Sequence, residues 1–431
     1  MQETQTIESV KRVAPGPRAW PVVGNLGVFR GLLPFFEQQW AVHGDVFRIR
    51  TASMRATVAA HPDDLQRVLL GQRQNYVKGP VYDHLRTLVG DGLVTLEGEA
   101  WRARRTLAQP AFHRQSLERL AQIMIDRGAR YFDDLSARIG TTSKTLDIHR
   151  EMVAVTMDVV VNALFGPGTL ASGAISYHTM SEALEVLSNG VNGVPLPSWL
   201  PTPHNFKFRR TLRELNQNVY DIIRVGRERG ADSGTLLSML LDARDEQGQP
   251  LSDQAVRSEV LTLFLAGHET TALTLTWLFA LLSEEREVLR RMVEEVDGVL
   301  GGRDPGFADV PKLQYVRQVI DETLRLRPPA AIVGRNAVAA DELGGYRVEA
   351  GEVVLPFIWA AHRHRDHLGT TRALRSRALR AGSQQGAAPG ELSAVLHRPP
   401  HLHRQHILAH RDHHPGGSDA APLRVQPAAL S

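Results

Sequence analysis

Glu269 and Thr270 stand side by side in the most apolar stretch of the chain, Val260 to Leu282. A carboxyl beside an alcohol in a dry interior can hold a proton and pass it on, which is general acid chemistry. Burying such groups without a partner or a task is costly, because each loses its water. The plain alternative is a core helix whose Thr270 hydroxyl bonds back to a carbonyl one turn earlier. A second pair, Glu322 and Arg325, is spaced i, i+3 and shares one helix face. On a solvated surface such a pair contributes only about 0.3–0.5 kcal/mol. Trp101 and Arg105 are spaced i, i+4, so an indole N–H and a guanidinium can face one anionic group. The alternative there is an exposed basic helix face. The chain has no cysteine, which excludes disulfides and thiolate zinc sites and leaves the redox compartment open.

These residues need elements to position them. Between about Glu99 and Lys312 a 3.6-residue period dominates and β-alternation is scarce. The pattern predicts helices over Gln115–Leu135, Phe206–Arg229, Ser252–Leu282 and Pro311–Leu326. Before this mass, Ala14-Pro15-Gly16-Pro17-Arg18-Ala19-Trp20-Pro21 is a proline-fixed, extended lead. Phe47-Arg48-Ile49-Arg50 and Thr57-Val58-Ala59-Ala60 read as short strands, and His61-Pro62-Asp63-Asp64 starts a helix with acids in its first turn. After Pro328-Pro329, Gly345-Tyr346-Arg347-Val348 and Val353-Val354-Leu355-Pro356 read as strands paired through a turn at Ala350-Gly351. The order is a small sheet, a helical mass, then more sheet, with no internal repeat.

A chain of 431 residues, 42% hydrophobic, can bury a large core. Its net charge of +3 is unevenly placed. From Arg365 onward there are nine arginines against Asp366, Glu391, Asp412 and Asp419, while the rest is mildly acidic. The charge therefore gives no reason to expect a nucleic-acid partner. No secretory apolar region follows Met1. The run Val260–Leu282 is long enough to span a bilayer, but a carboxylate at its centre would cost at least ~2.5 kcal/mol. A buried helix and no membrane span are expected, with a cytoplasmic home.

Ala266-Gly267-His268-Glu269-Thr270-Thr271 and Glu322-Thr323-Leu324-Arg325 resemble two signatures of the cytochrome P450 family, of the soluble bacterial type. The proline-rich lead resembles that family too, as do Trp101-x-x-x-Arg105 and Val333-Gly334-Arg335. The resemblance runs from about Pro15 to His364 and implies a mainly α fold with a small β-rich lobe. It implies a haem-dependent monooxygenase that inserts one oxygen atom of O2 into an apolar small molecule. Electrons would come from a ferredoxin- or flavodoxin-type donor with its reductase. By the same resemblance Trp101, Arg105 and Arg335 anchor the haem propionates. Ala266 and Gly267 keep the distal helix slim near the macrocycle, and Glu269 and Thr270 deliver protons to bound oxygen. Glu322 and Arg325 form a buried structural pair, and His268 is a core or pocket-lining residue rather than an iron ligand. Substrate-recognition positions would lie in Leu85–Leu96 and Ser188–Pro203, whose apolar residues suit a terpenoid, a steroid or a fatty acid equally.

The family holds its iron through a cysteine thiolate, which donates the electron density that favours O–O cleavage. That ligand is missing here, so no residue of this chain is assigned to the metal. From Ala360 to the end there is no Phe, Trp, Tyr or Lys, and ten of the eighteen histidines lie from His362 onward. Permitted codons for Leu396 to Ile407, read one base later, spell Ser-Thr-Gly-Pro-Arg-Ile-Cys-Ile-Gly-Asn-Thr. Those for Ser376-Arg377-Ala378-Leu379 can spell Pro-Glu-Arg-Phe. Both strings resemble the family's haem-ligand region, in the right order. A frameshift near Arg365 follows, with the lost cysteine codon straddling Leu402 and His403. Residues 1–364 are then a truncated P450-like domain lacking the proximal cysteine loop and final helix, and residues 365–431 an out-of-frame, disordered tail that leaves the chain inactive as written. Three alternatives stand beside this one. A sequencing error could hide a working enzyme, or the tail could be a basic nucleic-acid arm. The third is a non-enzymatic small-molecule or metal-binding remnant with a histidine-rich tract around His401, His403 and His406.

Overall fold

Glycine and proline interrupt the first hundred residues closely, and short strands and helices form there instead of long ones. The computed structural model describes residues 12–21, 24–25, 27–28, 31–51, 54–140, 146–166, 202–229, 234–244, 248–365, 406–411 and 423–428. The described chain divides into two units. One holds the residues up to Leu88 and those from Arg325 to Arg365, and the other holds Val89 to Leu324 together with the segments after His406.

Helix α1, Leu32–His43, leads into strands β1, Val46–Arg50, and β2, Arg55–Ala59, which pair antiparallel with Val46 opposite Ala59. Helix α2, Pro62–Gln66, is capped by His61, whose ring accepts from the Asp63 N–H at 3.2 Å. Proline at the first helical position loses nothing, since its missing N–H would have no partner there. Strand β3, Tyr76–Val77, and helix α3, Asp83–Val89, follow.

The helical mass comprises α4, Gly98–Ala108; α5, Arg114–Ile139; α6, Ile148–Phe165; α7, Pro203–Arg229; α8, Leu236–Asp242; α9, Asp253–Glu284; α10, Arg286–Leu300; and α11, Gln314–Leu326. Local chemistry sets several of their ends. Asp147 caps α6 by accepting from the Arg150 N–H, and Ser252 caps α9 by accepting from Ala255. Gly140 and Gly166 end α5 and α6 with φ of 57° and 88°, which other residues rarely adopt. The expected start of α11 at Pro311 is corrected. Pro311 lies in a 3-10 turn, Phe307–Lys312, and the α-helix begins at Gln314. The free N–H groups of Tyr315 and Val316 donate to the Glu295 carboxylate of α10 at 2.7 and 2.9 Å.

Strands β4, Arg335–Ala337; β5, Asp341–Leu343; β6, Tyr346–Val348; and β7, Val353–Pro356, precede helix α12, Ile358–Ala361. A five-stranded sheet runs β1-β2-β7-β4-β3, with β2 and β7 parallel. The expected pairing of Tyr346–Val348 with Val353–Pro356 does not occur. β6 pairs with β5 across Gly344-Gly345, both at positive φ, and β7 pairs with β2 and β4. A two-residue turn with positive φ at both positions matches strand twist, so the Gly-Gly hairpin wins over the Ala350-Gly351 turn. Phe36 lies under the sheet, fully buried, edge-on to Phe47 and Phe357 at 6.0 and 5.5 Å.

In the tail, β8, His406–Arg411, pairs antiparallel with β9, Leu423–Ala428. No strand is expected there from the side-chain pattern. The segments around Ser376–Leu379 and His401–His403, where the haem-ligand loop would be encoded, lie outside the described residues. No described helix is long and apolar enough to cross a membrane.

Candidate active site

Helix α9 does not bury itself all round, contrary to its apolar sequence. The side carrying Phe264, His268, Ala272 and Thr276 is buried. It meets α6 through contacts such as His149 Nδ1 to Thr276 Oγ1 at 3.3 Å. Ala266, Glu269, Thr270 and Thr271 instead form an exposed stripe at helical spacing. The expectation that Glu269 and Thr270 are buried is therefore corrected: α6 covers the side carrying Phe264, His268, Ala272 and Thr276, and Glu269 and Thr270 lie off that side.

Within that stripe the Thr270 hydroxyl donates to the Ala266 carbonyl at 2.6 Å, and Thr274 donates to Thr270 at 2.8 Å. Glu269 has no hydrogen-bond or ion-pair partner among the described residues. Gly267 does not front the stripe. A Cβ added to it would meet Val160 of α6 at 3.5 Å, an ordinary contact. Ala266 is the small residue that keeps the exposed face open.

His268 is 3% exposed, stacked on Phe264 at 5.7 Å, and neither ring nitrogen makes a hydrogen bond. Burial pushes its pKa down; the Val153 carbonyl opposes this, near enough to favour a protonated ring but outside hydrogen-bond geometry.

On α4 the Arg105 guanidinium lies 5.2 Å from the centre of the Trp101 ring, a cation–π contact. No carboxylate pairs with Arg105 among the described residues. Its neighbour Arg104 is committed elsewhere, to Glu259 of α9 at 3.1 Å. Glu259 is 0% exposed, and its second oxygen accepts from the Leu93 N–H at 3.2 Å. Burial raises its carboxyl pKa, against the pull of Leu93 and Arg104. Nothing at sequence level singled out Glu259, although a lone acid one residue before an apolar run is a signal that a partner must exist.

In the other unit, Arg335 donates to the Tyr82 hydroxyl at 3.1 Å and to the Gly334 carbonyl at 2.7 Å. It too has no carboxylate partner among the described residues. Gly334 packs so closely on Val81 that an added Cβ would lie 2.6 Å from it. Glu322 and Arg325 are 0% and 3% exposed, which sets aside a solvated surface pair. Arg325 donates to the His362 carbonyl at 2.8 Å. Of the two substrate-recognition segments, Leu85–Leu96 is described, whereas Ser188–Pro203 lies almost wholly outside the described residues.

Comparison with known proteins identifies the family whose signatures these elements carry. The family model for cytochrome P450 matches residues 14–367. The chain is 37% identical to the cyclooctat-9-en-7-ol 5-monooxygenase of Streptomyces melanosporofaciens, over 84% of this chain and 81% of that protein. It is 34% identical to the pentalenene oxygenase of Streptomyces avermitilis, over 82% and 78%. A cyanobacterial structure, CYP120A1 bound to retinoic acid, superposes with a TM-score of 0.72 at 23% identity, covering 83% of this chain and 79% of that one.

The chain belongs to the cytochrome P450 family. It has that family's mainly α fold with a small sheet region, and the family's cofactor is haem. The activity that goes with it is monooxygenation of an apolar molecule, with electrons from a redox partner. Arg105, stacked beside Trp101 and without a carboxylate partner among the described residues, suits one carboxylate of that cofactor. The sulfur that the iron requires does not fit, because the polypeptide contains no thiol.

Proposed function

We propose that this chain is the body of a bacterial P450 monooxygenase whose proximal ligand loop was lost to a frameshift near Arg365, leaving it inactive as written. One observation carries this reading: the family match stops at residue 367, and beyond it the chain supplies no cysteine. Residues 1–364 are the functional domain, and residues 365–431 are out of frame.

Trp101 and Arg105 hold a haem carboxylate, the indole N–H and guanidinium donating together, and Arg335, taken by itself, is a donor suited to such a carboxylate. Thiolate-bound haem supplies O–O cleavage; without the thiol, no step of that chemistry is assigned to this polypeptide. The distal residues keep their own properties. Thr270 Oγ1 has its hydrogen committed to the Ala266 carbonyl and its lone pairs free to accept. The exposed Glu269 carboxylate can take a proton from water and offer it along the stripe. Glu322 and Arg325 are structural.

The substrate is a largely hydrocarbon, unsaturated molecule, with a terpenoid favoured because the relatives' names carry an alkenol and an alkene. A ferredoxin- or flavodoxin-type donor with its reductase delivers electrons in the cytoplasm. Sequencing the gene around the codon for Arg365 tests the frame, together with a one-base variant that restores the cysteine codon across Leu402 and His403. The restored chain should bind haem stoichiometrically. A restored chain with no more haem than the parent would sink the proposal.

A further inference from the structure

Glu259 takes no part in the assignments above, yet it is a fully enclosed acid of the second unit, at 0% exposure. Its carboxylate is shared between two elements. One oxygen accepts from Arg104 of α4 at 3.1 Å, and the other from the Leu93 N–H at 3.2 Å. Arg104 adds a longer bond to the Ala255 carbonyl at 3.4 Å. The loop bearing Leu93 sits flush on α9. A Cβ on Gly90 would lie 2.5 Å from Ser258 Oγ, and one on Gly92 would lie 2.2 Å from Thr262 Oγ1. Thr95 closes the loop on itself by donating to the Gly90 carbonyl at 2.6 Å.

Arg104 separates Trp101 from Arg105 in sequence, so whatever fixes its guanidinium fixes the rotation of α4. Two adjacent arginines also compete for any nearby carboxylate. Glu259 satisfies one of them, and Arg105 is left stacked on Trp101 with no carboxylate partner among the described residues.

We propose that Glu259 is a positioning residue: by holding Arg104 and the Leu93 loop on α9 it sets the rotation of α4 and reserves Arg105, with Trp101, for a porphyrin carboxylate. This rests on the assignment of Trp101 and Arg105 to a haem carboxylate. The probe is therefore metal-free protoporphyrin IX, which needs no iron ligand, compared with its dimethyl ester, which has no anionic carboxylate. Each is titrated into the full chain and followed by quenching of tryptophan fluorescence.

The parent chain should bind the diacid more tightly than the ester. Glu259→Gln keeps the size and an acceptor for Leu93 but loses the charge. It should weaken diacid binding about tenfold and leave the ester unchanged, the usual scale for misplacing a binding group through its support. Arg104→Met should reproduce that selective loss, and the double variant should be no worse than either single one, as expected for two members of one interaction. Equal losses for both porphyrins would reveal general damage and overturn the positioning role, as would no loss in either variant. A parent chain that does not distinguish diacid from ester overturns the Trp101 and Arg105 assignment itself, and the proposal with it.

Discussion

Replacing His268 by leucine should make the protein more stable, and more so as the pH falls. The ring is 3% exposed, both its nitrogens lack hydrogen bonds, and Phe264 stacks on it. Leucine has a similar volume, so the apolar contact is largely kept while two unpaired polar atoms disappear. Leaving a buried polar group unsatisfied costs about 1–3 kcal/mol, so a gain of about 1–2 kcal/mol is expected near pH 7.5. Titration adds to this. Burial lowers the His268 pKa below the 6.5 of the free side chain. The unfolded chain then takes up its proton before the folded one does. The stability contributed by the neutral ring is complete above pH 6.5 and is lost as the pH falls from there towards the lower folded value. Between pH 7.5 and 5.5 one such histidine removes up to about 1.4 kcal/mol from the parent. His362, lowered for the same first reason, behaves alike in both proteins and cancels from the comparison. Urea unfolding of parent and His268→Leu at the two pH values measures the difference. An advantage of the variant that is absent at pH 7.5, and no larger at pH 5.5, would refute this account of the ring.

Three further outcomes are expected. Gly267→Ala should raise stability by about 0.5–1 kcal/mol, because alanine favours a helix and the new Cβ meets Val160 at an ordinary 3.5 Å; a thermal or urea midpoint checks the sign. Gly92→Ala should lower stability by about 1–3 kcal/mol, since its Cβ would fall 2.2 Å from Thr262 Oγ1 and 2.8 Å from the Ser258 carbonyl oxygen. Arg325→Ala should cost about 1–3 kcal/mol in urea unfolding, because it removes a buried guanidinium and its bond to the His362 carbonyl. A loss well under about 1 kcal/mol would show that Arg325 is not a structural anchor.

Much of this was legible in the chain because it is written locally. Ser252 ahead of an apolar run, Asp147 ahead of Ile148 and the glycines after α5 and α6 mark helix ends by chemistry that needs no partner elsewhere. The Glu322–Arg325 and Trp101–Arg105 spacings follow from helix geometry alone. What was not legible depends on distant packing. The five-stranded sheet joins β2 to β7 across almost three hundred residues, and no periodicity specifies that register. The exposed stripe of α9 depends on which face α6 covers, which an all-apolar helix does not declare. Glu259 was readable only as an acid in need of a partner, and its partners Arg104 and Leu93 lie far away in sequence.

The central claim is that a P450 body here lacks the sulfur its iron needs, and one spectrum tests it. The 431-residue chain is reconstituted with haem, reduced and exposed to carbon monoxide. No thiolate-type Soret band is expected from it, whereas the frame-restored chain should give one. A thiolate-type band from the 431-residue chain itself would contradict the account.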